Sequence, residues 1–216
     1  MTLAYDLYWS FRSPYSYLIT PRLAALEREF DVQGRIRPVY PLAVRSPEFF
    51  DTRDPLWFSY FQVDIHREAA FLGVPFRWPR PDPVAFDPAT RSYPTAQPYI
   101  HRLTRLGVLA AEQGNGLAYL TEVSWVIWSG EVDDWPEGDH LDRAAERAGL
   151  DAAEINARVE AEADRLHAAV ENNQVNQRAA GHYGVPMIAF GGEPFFGQDR
   201  FDQFRWRLEQ NGLSRR

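Results

Sequence analysis

Two stretches of strand-like alternation, one at each end of the chain, bracket a long helical middle, and this order restricts the fold more than any other feature of the sequence. Leu3, Tyr5, Leu7 and Trp9 alternate with smaller or polar residues, the period of a strand. Ser13-Pro14 then reads as N-cap and first helical residue. Ile19, Leu23, Leu26 and Phe30 follow on one helix face, with Pro21 inside the helix and expected to kink it. Gly34 is read as ending the turn, and Arg35 to Leu42 as the second strand. A β-α-β unit of this length makes the two strands parallel, with a right-handed crossover.

From about Pro55 to Gly181 the apolar spacing becomes helical. Trp57, Tyr60, Phe61, Ile65 and Phe71 belong to a first helix that closes at Gly73. The run PFRWPRPDPVAFDP carries too many prolines for a helix and is expected to be an extended loop. Further helices are expected over 95–113, 116–129, 139–148 and 151–181, the last with a break. MIAF and EPFF then read as a hairpin joined across Gly191-Gly192, and a final helix over 198–211 buries Phe201, Phe204 and Leu208. The expected fold is α/β: a β-α-β … β-β-α domain from residues 1–44 and 182–216, with an all-helical insertion at 45–181.

Bulk properties exclude several functions. A chain of 216 residues, 45% hydrophobic, is long enough for a sizeable core. Aromatic residues reach 14%, more than a core needs, so some are expected to line a binding cavity. A net charge of −7 does not suit nucleic acid or an anionic membrane. No apolar run reaches the roughly 20 residues of a membrane span, and MTLAYDLYW has no basic leader, so a cytoplasmic protein is expected. The chain has no cysteine, which removes disulfides, thiolate metal sites and a thiol nucleophile of its own. His66, His101, His140, His167 and His182 show no metal-ligand spacing, and no metal is expected.

Three short motifs offer chemistry. Ser13 sits where a strand gives way to a helix, so it is either a plain cap or a donor to an anion held at the helix N-terminus. Without cysteine, a thiolate stabilised there would belong to a bound small molecule. Arg12 beside it adds positive charge or is simply solvated. Val185-Pro186 enters a strand, either as an ordinary trans proline or as a cis proline that presents the Val185 backbone to an extended ligand. Gln198 and Asp199 open the last helix, where Asp199 either compensates the helix dipole or binds a ligand ammonium, with Gln198 on a carboxylate.

Together, FRSPYSYL after the first strand, GVP before the third and FFGQDRF at the last helix resemble the 2-hydroxychromene-2-carboxylate isomerases and the related kappa-class glutathione transferases. These lie in the DsbA-like part of the thioredoxin superfamily. DIHREAAFLGVPFRWP and VIWSGEVDD extend the likeness over nearly the whole chain. The resemblance implies a thioredoxin-like domain with a helical insertion, a homodimer, glutathione as cofactor and a small-molecule substrate. By motif, Ser13 stands where the family's serine hydrogen-bonds the glutathione sulfur, and Val185, ahead of a cis Pro186, where backbone pairs with the cysteinyl part. Gln198 and Asp199 match the pair that holds the γ-glutamyl end. One departure stands out. Where the family carries an Asn-Lys-Pro-Pro-like segment and a basic residue, Arg45 to Phe58 has neither Asn nor Lys, and Trp57 falls near the basic position. Arg12, Tyr15, Arg45, Phe49, Phe50, Trp57 and Phe61 are therefore expected to line an aromatic acceptor pocket, with Arg45 or Arg53 supplying the charge. The function implied is a glutathione-dependent isomerase of an unsaturated intermediate of aromatic breakdown, acting by reversible thiolate addition. A kappa-like transferase or peroxidase, or a non-catalytic glutathione-binding protein, is the alternative.

Overall fold

The structure, a computed structural model, describes residues 2–50, 53–87, 89–90 and 92–216. Asp51 and Thr52 of the 45–58 segment lie outside the described residues, as do Met1, Pro88 and Arg91. β1 (Leu3–Trp9), α1 (Pro14–Glu29) and β2 (Val32–Pro38) form the first unit. The two strands are parallel, with Leu7 opposite Ile36. β3 (Met187–Phe190) runs antiparallel to β1 and to β4 (Glu193–Phe196), and the sheet order is β2-β1-β3-β4. The hairpin turns at Gly191-Gly192 as its glycines predict. The last helix is shorter than expected, a 3₁₀ turn at Gln198–Arg200 followed by an α-helix at Phe201–Gln210, which buries Phe201, Phe204 and Leu208.

Between β2 and β3 lie α2 (Leu42–Arg45), α3 (Pro55–Leu72), α4 (Ile100–Glu112), α5 (Gly116–Trp128), α6 (His140–Arg147), α7 (Ala152–Ala161) and α8 (Ala163–Ala179). The helix at Phe201–Gln210 is α9. The break expected within 151–181 falls at Glu162, and the proline-rich run after Val74 carries no helix among the described residues. α3 ends at Gly73 as predicted, but Tyr60 and Phe71 point to solvent while Phe61 and Ile65 face the body. α4 and α8 pack on β2, and α5 packs on α1. Residues from 1–44 and 182–216 share one continuous core with residues from 45–181, among them Leu18, Ile19, Leu106, Leu109, Val123 and Phe204.

Buried indoles fix this core because each carries a donor that must be satisfied. Trp9 Nε1 donates to the Ser16 carbonyl at 2.9 Å. Trp128 Nε1 on α5 donates to the Phe11 carbonyl at 2.9 Å, and Trp135 Nε1 to the Pro81 carbonyl at 2.8 Å. The inserted helices thereby hold the loop that follows β1.

β2 lies earlier than the expected Arg35–Leu42, and Gly34 is inside it rather than ending a turn. The reason is close approach. A Cβ at Gly34 would stand 2.8 Å from the Tyr5 ring and 2.9 Å from Glu27 Oε1. That oxygen accepts both the Gly34 N–H and the Tyr5 hydroxyl at 2.8 Å, so β1, α1 and β2 converge on one glycine. Pro38 and Pro41 lack the amide donors a longer strand would need. Gly34→Ala is expected to cost about 1–3 kcal/mol by overpacking, lowering Tm by several degrees in a thermal melt. An unchanged Tm would show that Tyr5 and Glu27 yield without cost.

Candidate functional site

The C-terminal ends of β1 and β2 and the start of β3 meet at one end of the sheet, and the three motifs gather there. Ser13 is the N-cap of α1, and its Oγ accepts the Ser16 N–H at 3.2 Å. The same hydroxyl donates to the Val185 carbonyl at 3.4 Å, a long and weak bond across 172 residues of sequence. Ser13 therefore is a cap and also faces the second motif. The Tyr15 N–H in the first turn, and the Val185 N–H, donate to no acceptor among the described residues. The hydroxyls of Ser10 and Ser16 are buried here with no partner. The positive end of a 16-residue helix and two unengaged amides suit an anion and an extended backbone.

The Val185-Pro186 bond is cis. The Gly197 N–H donates to the Pro186 carbonyl at 2.9 Å, which brings the start of the last helical segment to the same place. Gly184 cannot carry a side chain, since a Cβ would lie 2.3 Å from the Phe196 ring. His182 stacks on Phe196 with ring centroids 3.9 Å apart, and its Nδ1 accepts the Gly184 N–H at 2.8 Å. Burial lowers the His182 pKa below the ordinary histidine value.

Gln198 is buried and fully engaged. Its Nε2 donates to Glu68 Oε2 at 2.5 Å, its backbone carbonyl accepts Arg22 Nη2 at 2.6 Å, and its Oε1 accepts the same nitrogen. Asp199 is exposed and pairs with Arg200 at 2.9 Å. Burial lowers the Arg22 pKa, opposed by the nearby charges of Asp202, Glu68 and Asp199. Arg22 and Glu68 were not singled out in the sequence. Both lie inside helices, Glu68 within the DIHREAAFLGVPFRWP stretch, and only the packing of α1 and α3 brings them to Gln198.

The aromatic side chains of this stretch gather into a wall. Trp57 and Phe61 stack at 5.5 Å, and Phe50 stands 6.3 Å from Trp57 and 5.2 Å from Phe49. Tyr15 meets Phe61 at 5.7 Å on the Ser13 side, and Tyr183 meets Phe49 at 6.0 Å on the Val185 side. The Tyr15 hydroxyl donates to Asp64 Oδ2 at 2.5 Å. Burial and that bond raise the Tyr15 pKa far above the ordinary tyrosine value, so the phenol keeps its proton. Burial raises the Asp64 pKa, but hydrogen bonds from Tyr15, Arg67 and Tyr60 outweigh it and hold the carboxyl below its usual range.

The three arginines differ. Arg12 is committed to Asp82 by a two-bond pair at 2.8 and 3.1 Å and lies over the Trp78 ring, so it is neither a solvated residue nor a free charge. Arg53 stands 3.8 Å over the Phe49 ring. Arg45 donates to Gln177 Oε1 at 3.0 Å and to the Tyr183 carbonyl, and pairs with no carboxylate among the described residues. Its Nε is buried without a partner. Burial and the neighbouring charge of Arg178 lower its pKa to about 10, which leaves it charged at neutral pH. Neither Arg45 nor Arg53 pairs with a carboxylate among the described residues, and Arg45 differs in being buried beside the wall.

Among known proteins, residues 5–209 match the DSBA-like thioredoxin domain. The chain is 24% identical over 209 residues to the 2-hydroxychromene-2-carboxylate isomerase of Pseudomonas putida, covering 90% of this chain and 89% of that protein. In structure it is similar to a 2-hydroxychromene-2-carboxylate isomerase, with a TM-score of 0.71 at 20% identity over 96% of this chain and 95% of that one. It is also similar to the cytosolic disulfide reductase DsbM from Pseudomonas aeruginosa with GSH, with a TM-score of 0.59 at 17% identity over 97% and 98% of the two chains. With nearly its whole length matched and the sheet and helix order described above, the chain belongs to the DSBA-like thioredoxin domain family.

Proposed function

We propose that the protein is a glutathione-dependent isomerase of an unsaturated, carboxylate-bearing aromatic intermediate, similar in activity to 2-hydroxychromene-2-carboxylate isomerase. The observation that carries this reading is the meeting of the Ser13 hydroxyl with the Val185 backbone at the α1 N-terminus, in a chain without cysteine. A dithiol redox reaction of the protein's own has no residues to run on. The tripeptide thiol, when bound, supplies the nucleophile that adds reversibly to an unsaturated carbon and leaves again. The DsbM neighbour, described with GSH, supports such a ligand in this fold, and the Pseudomonas putida isomerase supports the class of reaction.

This chain's residues divide the remaining work. Ser13 exchanges its weak bond to Val185 for one to the anionic sulfur, and the Tyr15 N–H and the helix dipole favour the same charge. The unengaged Val185 N–H pairs with the ligand backbone. Arg22, Glu68 and Asp199 present both signs of charge to a zwitterionic end, with Gln198 locked between the first two. Phe49, Phe50, Trp57 and Phe61 cover the acceptor ring and exclude water. Arg45 holds the acceptor carboxylate.

Ser13→Ala removes a hydrogen bond to a charged acceptor, worth about 1.5–3 kcal/mol, so kcat/KM is expected to fall about 10- to 100-fold. The thiol pKa of bound glutathione, followed by thiolate absorbance, should rise in the same variant. An unchanged thiol pKa removes Ser13 from the mechanism. Total free thiol should stay constant during turnover, whereas stoichiometric loss would favour the kappa-like transferase reading. Arg45→Met should raise KM for an anionic acceptor by at least about tenfold and leave glutathione affinity within about twofold. Equal losses for a neutral ester of the same acceptor would show that Arg45 shapes the fold and not the charge match.

A pH effect follows from His182. Its folded pKa lies below the unfolded value of about 6.5, so its contribution to the 182–186 loop is present above that pH. The contribution is lost as pH falls toward the folded pKa, because Nδ1 must give up the Gly184 N–H to take a proton. Glutathione affinity by calorimetry should weaken below about pH 6.5. His182→Asn, whose side chain can accept the same amide two residues on, should flatten that dependence. An equally steep profile in the variant would place the titrating group elsewhere.

A further inference from the structure

Acidic residues outnumber basic ones 30 to 23, and most guanidiniums of the chain find a carboxylate. Around the Tyr183–Phe49 ring pair that pattern breaks. Arg45 donates to the Tyr183 carbonyl and keeps a buried Nε without a partner. Arg178, next to the Gln177 that receives Arg45, puts its Cζ 6.0 Å over the Tyr183 ring. Arg53 puts its Cζ 3.8 Å over Phe49, whose ring stands 6.0 Å from that of Tyr183. None of the three pairs with a carboxylate among the described residues. The charge of Arg178 acts at Arg45, where with burial it lowers the pKa. Like charges within reach of each other repel, and an anion bound between them removes that cost.

We propose that the acceptor is a diacid: one carboxylate lies on Arg45, and a second, across the unsaturated frame, lies on Arg178 at the rim of the aromatic wall, with Arg53 adding to the attraction there. This rests on the proposed function, from which it takes the acceptor and its contact with Arg45. Arg45 has its Nε inside the protein, whereas Arg178 and Arg53 are exposed. The positive charge therefore runs from the inner end of the wall to its mouth, as two carboxylates on one rigid acceptor require.

A cation in the last turn of α8 also complements the helix dipole. That accounts for an arginine at this end of the helix. It does not account for Arg178 lying over the ring of the residue whose carbonyl Arg45 holds, a placement that sets two cations against each other. A monoacid would supply one counter-charge to the pair, and a diacid supplies two. A planar fork on each side matches a carboxylate with two parallel hydrogen bonds, so both ends of the acceptor are read by geometry as well as by charge. Phe49 and Phe50 then face the frame between the two ends.

Calorimetry on the full chain with cinnamate, 3-carboxycinnamate and 4-carboxycinnamate, with and without saturating glutathione, tests this. The three probes share a ring and an unsaturated acid arm and differ in the second carboxylate. The better of the two diacids should bind the wild type at least about fivefold more tightly than cinnamate, the upper end for a partly exposed ion pair. Arg178→Gln should bring that diacid to within about twofold of cinnamate, and Arg53→Gln should remove a smaller part of the advantage. Equal affinity of the wild type for all three acids overturns the proposal. A loss in Arg178→Gln as large for cinnamate as for the diacids also overturns it, because Arg178 then supports the fold and not the second carboxylate. A fall in glutathione affinity with the diacid advantage intact assigns Arg178 to the glycyl carboxylate of the tripeptide and overturns it as well. A wild type that binds no glutathione but keeps the diacid advantage separates the two readings: the thiol chemistry fails and the diacid subsite stands.

Discussion

The Trp128 indole bond to the Phe11 carbonyl holds the working end of this fold in place. A loop leaving a central strand has free backbone groups and no reason to keep one shape. Here α5 reaches over from the inserted helices and satisfies the carbonyl two residues ahead of Ser13. Trp9, on the strand side, takes the Ser16 carbonyl two residues after Pro14. The turn containing Ser13 is thus held by a buried indole on each side, and breaking either bond would strand a donor in an apolar core. The insertion and the sheet domain are one mechanical unit because the insertion supplies half of this clamp.

From that clamp the geometry propagates. A fixed turn directs α1, and the parallel β1–β2 pair brings Tyr40 to Arg45 to the same end of the sheet. β3 enters antiparallel beside β1, so Val185 arrives at Ser13 rather than at the far end of the sheet. α8 then closes the outer side. Asn173 donates to the Pro38 carbonyl at 3.0 Å, Gln174 accepts the Tyr40 N–H at 3.1 Å, and Gln177 accepts Arg45. Little more than one turn of one polar helix thus carries the segment from which the aromatic wall departs.

What the sequence made legible follows from which forces are local. The Ser13-Pro14 cap, the Gly73 terminus, the Gly191-Gly192 hairpin and the parallel pair of strands all depend on neighbours in sequence, and all stand as read. Gly34 was misread because its reason is the ring of Tyr5, 29 residues away, and not a turn. Pairings across the fold left no local mark. Arg12 looked like a spare charge because Asp82, its partner, lies 70 residues on. Gln198 matched a ligand-binding motif, but Arg22 and Glu68, which occupy its amide, come from helices whose sequence shows only their apolar faces. The aromatic cluster was foreseeable as composition, since Phe49, Phe50, Trp57 and Phe61 have no polar face to turn inward. The distinct role of Arg45 was not, because only burial separates it from Arg12 and Arg53.

The charges that remain at the site set its response to conditions. The chain has no lysine, its 23 Lys and Arg positions all being arginine, so no side-chain ammonium is present to lose its proton when desolvated. Burial and Arg178 bring Arg45 down only to about 10, which keeps the guanidinium charged throughout the neutral range. Tyr15 is pushed the other way and stays neutral over the same range. The Arg45 guanidinium and the Tyr15 phenol each keep one charge state across that range, so the field they set beside the aromatic wall is constant. Under the proposed function the glutathione thiol titrates against this field, while His182, held below the ordinary histidine value by burial, braces the backbone opposite Ser13. In a chain whose net charge is −7, anions in general are repelled, so under the proposed function the buried Arg45 favours the one anion whose shape brings its carboxylate to that point.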